Sequence, residues 1–231
     1  MQTIASSGTV FRQTETRRLN VRLLLCTLIL FSTAKQYANS IDGLFEQNSS
    51  EPGCAVGYTR DGEVRYFKGF GMANLEYQIP ITAETRFHIA SVSKQFTAAA
   101  VGLLILEGKV AVEHDVRRYL PELREYDHVI TINHLLQHSS GLASHTTLMA
   151  ERGIDYGNSM TQQEALDLIF AEDLRFVPGT KFHYSSGYVV LASIVERVTE
   201  MPFRTFLEQR IFRPLGMNRS GMHDDFSLIP N

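Results

Sequence analysis

Apolar positions change their period along this chain, and each change marks an element. Ile41, Leu44 and Phe45 have helical spacing, which predicts a short helix over residues 40–47. Residues 54–58 and 63–69 read as two strands, with Val64, Tyr66 and Lys68 alternating against Arg65 and Phe67. Thr59-Arg60-Asp61-Gly62 lies between them, and its Asp-Gly pair predicts a tight hairpin turn. Residues 80–85 read as a loop, followed by a short extended piece over 86–90. Val101, Leu103, Leu104, Ile105 and Leu106 then form a strongly apolar run that stops at Gly108, predicting a buried helix with a glycine end.

Downstream the pattern is mainly helical. Residues 110–121 alternate apolar and charged side chains, as irregular chain with short helical turns does. Thr131 is placed to cap a short helix running to His138. Residues 143–160 carry Gly, Ser, Thr and Asn with little period and are expected to be loop. Thr161-Gln162-Gln163-Glu164 has the capping-box pattern, opening a helix that buries Ala165, Leu168 and Ile169. Pro178-Gly179 breaks the chain. Val190, Leu191, Ile194, Val195 and Val198 form the apolar face of the next helix. Pro202 starts another, with Phe203, Phe206, Leu207 and Ile211 inward.

Composition narrows the class. The 231 residues are 44% hydrophobic and 20% charged, as in a globular protein of one large or two small domains. A net charge of −3 gives no broad basic field, which argues against nucleic acid as a partner. Two cysteines, Cys26 and Cys54, cannot build a disulfide framework or a CxxC metal knuckle. The N-terminus differs from the rest. Arg17, Arg18 and Arg22 precede an apolar run from Leu23 to Phe31, followed by Ser32-Thr33-Ala34. Residues 1–34 therefore read as a secretory signal, with a disordered tail as the alternative, and export to the periplasm or beyond is expected. The run is too short for a stable transmembrane anchor.

The chemistry centres on Ser91-Val92-Ser93-Lys94. Side chains three apart share one face of a helix, so Ser91 and Lys94 can meet. Near a helix start, unpaired N–H groups and the positive dipole end can face a developing negative charge. A serine needs a base to become a nucleophile, and a buried lysine amine can serve as one. The plain alternative for Ser91 is an N-cap serine. His134 and His138 are four apart, which suits a metal pair, but Leu135 stands where H-E-x-x-H requires glutamate. His145 is the best third ligand on offer. Metal binding is not expected, and His138 is assigned to hydrogen bonds ahead of the Ser139-Ser140-Gly141 turn.

Taken together, F-H-I-A-S-V-S-K-Q-F at 87–96, L-L-Q-H-S-S-G-L at 135–142, F-H-Y-S-S-G-Y at 182–188 and P-L-G-M at 214–217 resemble the serine β-lactamase and penicillin-binding-protein family. The resemblance is to its class C-like branch, with D-alanyl-D-alanine carboxypeptidases and related esterases, and runs from about Ile41 to Met217. It implies an α/β (α+β) fold, with an antiparallel sheet flanked by helices plus a helical region. Residues 35–231 would form the hydrolase domain. By resemblance, Ser91 is the acylated nucleophile, Lys94 its base or the group that tunes it, and Tyr184 the phenolic proton shuttle. Ser186 falls where the family has a substrate-orienting asparagine, in a loop one residue shorter than usual; a turn residue is its alternative. The implied substrate is an amide or ester: a β-lactam, a D-Ala-D-Ala peptide or a small ester. No metal or organic cofactor is implied. The family's third motif, K-T-G or H-x-G, does not occur before Asn231. The domain is therefore expected to lack its C-terminal part, and a non-catalytic relic or binding module is the alternative function.

Overall fold

A computed structural model describes residues 41–45, 50–155 and 160–223. The predicted leader over 1–34 lies outside the described residues. The chain forms two units, Met1–Thr85 and Arg86–Asn231.

In the first unit, β1 (Cys54–Arg60) pairs antiparallel with β2 (Glu63–Phe70). The turn needs both central residues in the left-handed region, and Asp61 (φ 55°) and Gly62 (φ 77°) occupy it. The strands run further than expected because pairing continues to Arg60↔Glu63 past a register shift at Tyr58/Thr59. On β2 the alternating set is Tyr66, Lys68 and Phe70, whereas Val64 is exposed. Tyr66 donates to Asp42 (2.5 Å), and Lys68 pairs with the same carboxylate (2.8 Å). Only residues 41–45 of the helix predicted over 40–47 are described. They make a helical turn, with Leu44 N–H donating to Ile41 O (3.0 Å) and Phe45 stacking on Phe70. A second small hairpin, β3 (Met72–Asn74) with β4 (Ile79–Pro80), lies just ahead of the expected loop, where no element was predicted. Its two strands are too short for alternation to register.

The second unit is helical. α1 (Lys94–Leu106) follows a 3₁₀ turn over Ala90–Ser93. It ends in a Schellman arrangement: Gly108 (φ 69°) donates to Ile105 O, and Lys109 donates to Leu104 O. α1 is buried on one face only, through Thr97, Ala100, Val101 and Leu104, while Leu106 points outward. This narrows the expectation of a wholly buried helix.

α2 (Ile132–Leu136) has the expected Thr131 cap, closed reciprocally by the His134 ring. α3 (His145–Glu151) interrupts the loop expected over 143–160, because Leu148 and Met149 give a short helix a buried face. α4 (Gln162–Phe170) starts at the Thr161–Glu164 capping box. α5 (Gly187–Thr199) is the central helix and packs on α1, α2 and α4. α6 (Phe203–Leu207) packs on α5 and continues as a π-helical turn over Glu208–Phe212. Leu104, Ile132, Leu135, Leu191, Ile194 and Phe206 are all fully buried in one core. No helix among the described residues is long and apolar enough to cross a membrane.

α5 ends on Glu200 in the left-handed conformation (φ 53°), where an L side chain is strained and glycine is not. Glu200→Gly is therefore expected to stabilise the fold by about 1 kcal/mol, read as a higher urea midpoint at unchanged slope. An unchanged or lower midpoint would contradict this.

Candidate active site

The Ser91–Lys94 spacing produces the expected meeting by a slightly different route. Ser91 sits in the 3₁₀ turn ahead of α1, and Lys94 is the first residue of the helix. One turn still separates them, and Lys94 Nζ donates to Ser91 Oγ at 3.0 Å. Ser91 is exposed, so its hydroxyl is open to a ligand. The turn is entered through Ala90 at φ 44°, a conformation that alanine rarely adopts. Ser93 explains how it is held, because its hydroxyl donates to Ala90 O at 2.5 Å. Ser93 thus shapes the backbone that presents Ser91, a role invisible in a bare S-x-x-K spacing.

Tyr184 arrives from 93 residues away and donates its phenol hydrogen to Ser91 Oγ at 2.7 Å. A serine oxygen has two acceptor lone pairs, and Lys94 and Tyr184 supply a donor to each. Lys94 Nζ also lies 4.9 Å from the centre of the Tyr184 ring. Hydrogen bonding with the Lys94 ammonium, then with Ser91, lowers the Tyr184 phenol pKa from its ordinary value, and burial opposes this. Ser91, Lys94 and Tyr184 are therefore one hydrogen-bonded group.

One hydrogen-bonded run and one close backbone approach deliver Tyr184. Residues 175–183 lie along the segment after α2: Arg175 N–H donates to Gly141 O, Gly179 N–H to Ser139 O, and His183 N–H to His138 O, each at 2.8 Å. Gly141 (φ 77°) permits this approach, since a Cβ there would stand 2.3 Å from Phe176 O. On the far side of Tyr184, a Cβ on Gly187 would meet Leu135 O at 3.1 Å. Glycine at this position lets the first turn of α5 close on α2. Between these anchors, His138 stacks on Tyr184 with ring centres 4.5 Å apart and 28° between planes.

Ser186 is not part of the Ser91 group. It is 5% exposed, and its oxygen accepts His145 N–H at 2.8 Å and lies 2.6 Å from His145 Nδ1. A neutral His145 ring with a bare Nδ1 would accept the serine proton, while the serine oxygen accepts the backbone N–H. Burial and the Lys94 cation both push the His145 pKa down and favour that neutral form. His145 entered the sequence reading only as a possible metal ligand; its pairing with Ser186 across 41 residues left no local signal. His134, another metal candidate, uses its ring to cap α2. Among the described residues, no three His, Cys, Asp or Glu side chains gather as a metal site.

Known proteins share this arrangement of sequence. A family model described as Beta-lactamase matches residues 41–230. Esterase EstB of Burkholderia gladioli is 32% identical over 205 residues, covering 81% of this chain and 52% of the esterase. Penicillin-binding protein 4* of Bacillus subtilis (strain 168) is 34% identical over 166 residues, covering 71% of this chain and 36% of that protein. Among solved structures, EstCE1, a hydrolase with promiscuous acyltransferase activity, superposes with a TM-score of 0.71 at 28% identity, over 87% of this chain and 55% of its own. The chain thus spans about half or less of the length of these relatives. The match takes in all three residues of the Ser91 group, and the chain belongs to the beta-lactamase family.

Proposed function

We propose that this chain carries the acylation centre of a serine hydrolase that cleaves an amide or ester through a covalent acyl-Ser91 intermediate. The observation that carries the reading is the convergence of Lys94 Nζ and Tyr184 Oη on Ser91 Oγ, at 3.0 and 2.7 Å. Ser91 attacks the substrate carbonyl carbon as its proton passes to Tyr184, whose phenolate form the Lys94 ammonium favours. The carbonyl oxygen becomes an oxyanion, with the Ser91 backbone N–H as one donor. Collapse expels the amine or alcohol, which takes the proton from Tyr184 and leaves an ester on Ser91. Water then attacks that ester, Tyr184 accepts the water's proton, and the acid departs as Ser91 is reprotonated.

Ser186 contributes to substrate positioning indirectly, by holding the His145 ring through its hydroxyl. The relatives carry names of an esterase, a penicillin-binding protein and D-aminopeptidases, so small esters and amides, including D-amino acid amides and peptides, form the substrate class. Residues 35–231 would belong to the hydrolase domain. The Arg-rich, apolar and small-residue sequence of 1–34 supports export, placing the reaction outside the cytoplasm.

The test is covalent. Incubation with a fluorescent fluorophosphonate, followed by peptide mapping, is expected to place one adduct on Ser91. An adduct on another residue, or none, would remove the assignment.

A further inference from the structure

The geometry points to His138 as the positioning residue for Tyr184: its ring and main chain together fix the tyrosine loop so that the phenol meets Ser91. This rests on the hydrolase reading above and adds to it a residue that touches none of the reacting atoms.

Three consecutive loop residues answer to His138. Its carbonyl accepts His183 N–H at 2.8 Å. Its ring stacks on Tyr184 at 4.5 Å. Its Nδ1 faces Ser185 N–H at 3.4 Å, a long contact that favours an acceptor nitrogen there. The same ring lies 5.1 Å from Tyr188 and meets Phe182 edge-on at 5.9 Å. Ser185 does not hold the loop through its side chain, because its hydroxyl is buried with no hydrogen-bond partner among the described residues. Tyr184 itself is half exposed, so the surrounding core does not fix its angle. The histidine ring is the packed surface available to do that.

The backbone supports the same assignment. His138 has φ 53°, a conformation costly for most L residues and tolerated best by Asn, Asp and His. This conformation turns the chain sharply out of α2 and places the ring under Tyr184. The titratable groups against the ring are Tyr184 and Tyr188, with the Lys94 cation acting on it from α1. Burial and Lys94 both lower the His138 pKa, which keeps Nδ1 able to accept from Ser185.

Two variants separate orientation from folding. Asparagine accepts φ near 53° and offers an oxygen where Nδ1 stands, but it has no ring. Phenylalanine keeps a ring and loses the acceptor. Acylation by the fluorophosphonate is expected to slow about 10- to 100-fold in His138→Asn, as a misplaced catalytic group does. The Tyr184 ionisation, measured at 295 nm as the difference between each protein and its Tyr184→Phe derivative, should move to higher pH in His138→Asn and stay near wild type in His138→Phe. Loss of protein stability alone would lower the active fraction without moving that ionisation.

The proposal is overturned if His138→Asn labels at the wild-type rate with Tyr184 unmoved, or if His138→Phe shifts Tyr184 as far as His138→Asn does. Loss of cooperative unfolding in His138→Asn would assign the histidine to the fold and overturn it equally. Failure of the wild-type chain to label at Ser91 would instead remove the hydrolase reading, while the absorbance titration still judges the role of His138.

Discussion

Replacing Ser91 with alanine is expected to lower turnover of a p-nitrophenyl ester by roughly 10³-fold or more, to near the uncatalysed background. Ser91 Oγ is the atom on which both partner side chains converge, and no other hydroxyl among the described residues is seen to accept from both Lys94 and Tyr184. Ser93 is two residues away, but its hydroxyl is directed to Ala90 O and cannot substitute. The variant should fold as the parent does. Ser91 is exposed, lies outside α1 and donates to no backbone group in the contacts that define this turn, so removing Oγ leaves no buried group unsatisfied. A matched Ser93→Ala variant gives the contrast: it loses the clamp on a strained alanine and is expected to lose activity together with stability. Residual esterase activity in Ser91→Ala within tenfold of wild type, with an unchanged unfolding midpoint, would place the chemistry elsewhere.

Local sequence carried some of this and long-range packing carried the rest. The Thr131 cap, the Thr161 capping box and the Asp61-Gly62 turn are legible because every group involved lies within four residues. The Ser91–Lys94 contact is legible for the same reason. α3 was hidden because only Leu148 and Met149 mark its buried face, within a segment whose composition is that of a loop. The β3–β4 hairpin was hidden by strands of three and two residues, too short for a period of two to show. The contacts that complete the site are not local. Tyr184 meets Ser91 across 93 residues, and His145 meets Ser186 across 41. Only the family resemblance linked Tyr184 to Ser91, and it linked Ser186 to substrate directly. The fold turns the Ser186 hydroxyl inward to His145, because the first turn of α5 closes on Leu135 and buries residues 185–187.

Tyr184→Phe is expected to reduce acylation by about 10²- to 10⁴-fold, the range for loss of a positioned general base. The ring and its stack on His138 are kept, so the loss isolates the phenol oxygen. The sign of the pH dependence follows from what lowers the Tyr184 pKa. The competent base is the phenolate, so the acylation rate should rise with pH up to the lowered pKa and then level off. The Lys94 ammonium is the largest cause of that lowering. Lys94→Met keeps a chain of similar length without the cation. It should therefore move the ascending limb toward the ordinary tyrosine range, costing most at neutral pH and recovering part of the rate in alkali. If Lys94 were instead the proton acceptor, Lys94→Met would flatten the profile and no alkaline recovery would appear. Rate–pH profiles of fluorophosphonate labelling for wild type, Lys94→Met and Tyr184→Phe therefore distinguish the two bases. A flat Tyr184→Phe profile with a shifted Lys94→Met limb assigns the base to Tyr184, and a Tyr184→Phe profile that keeps the wild-type limb assigns it to Lys94.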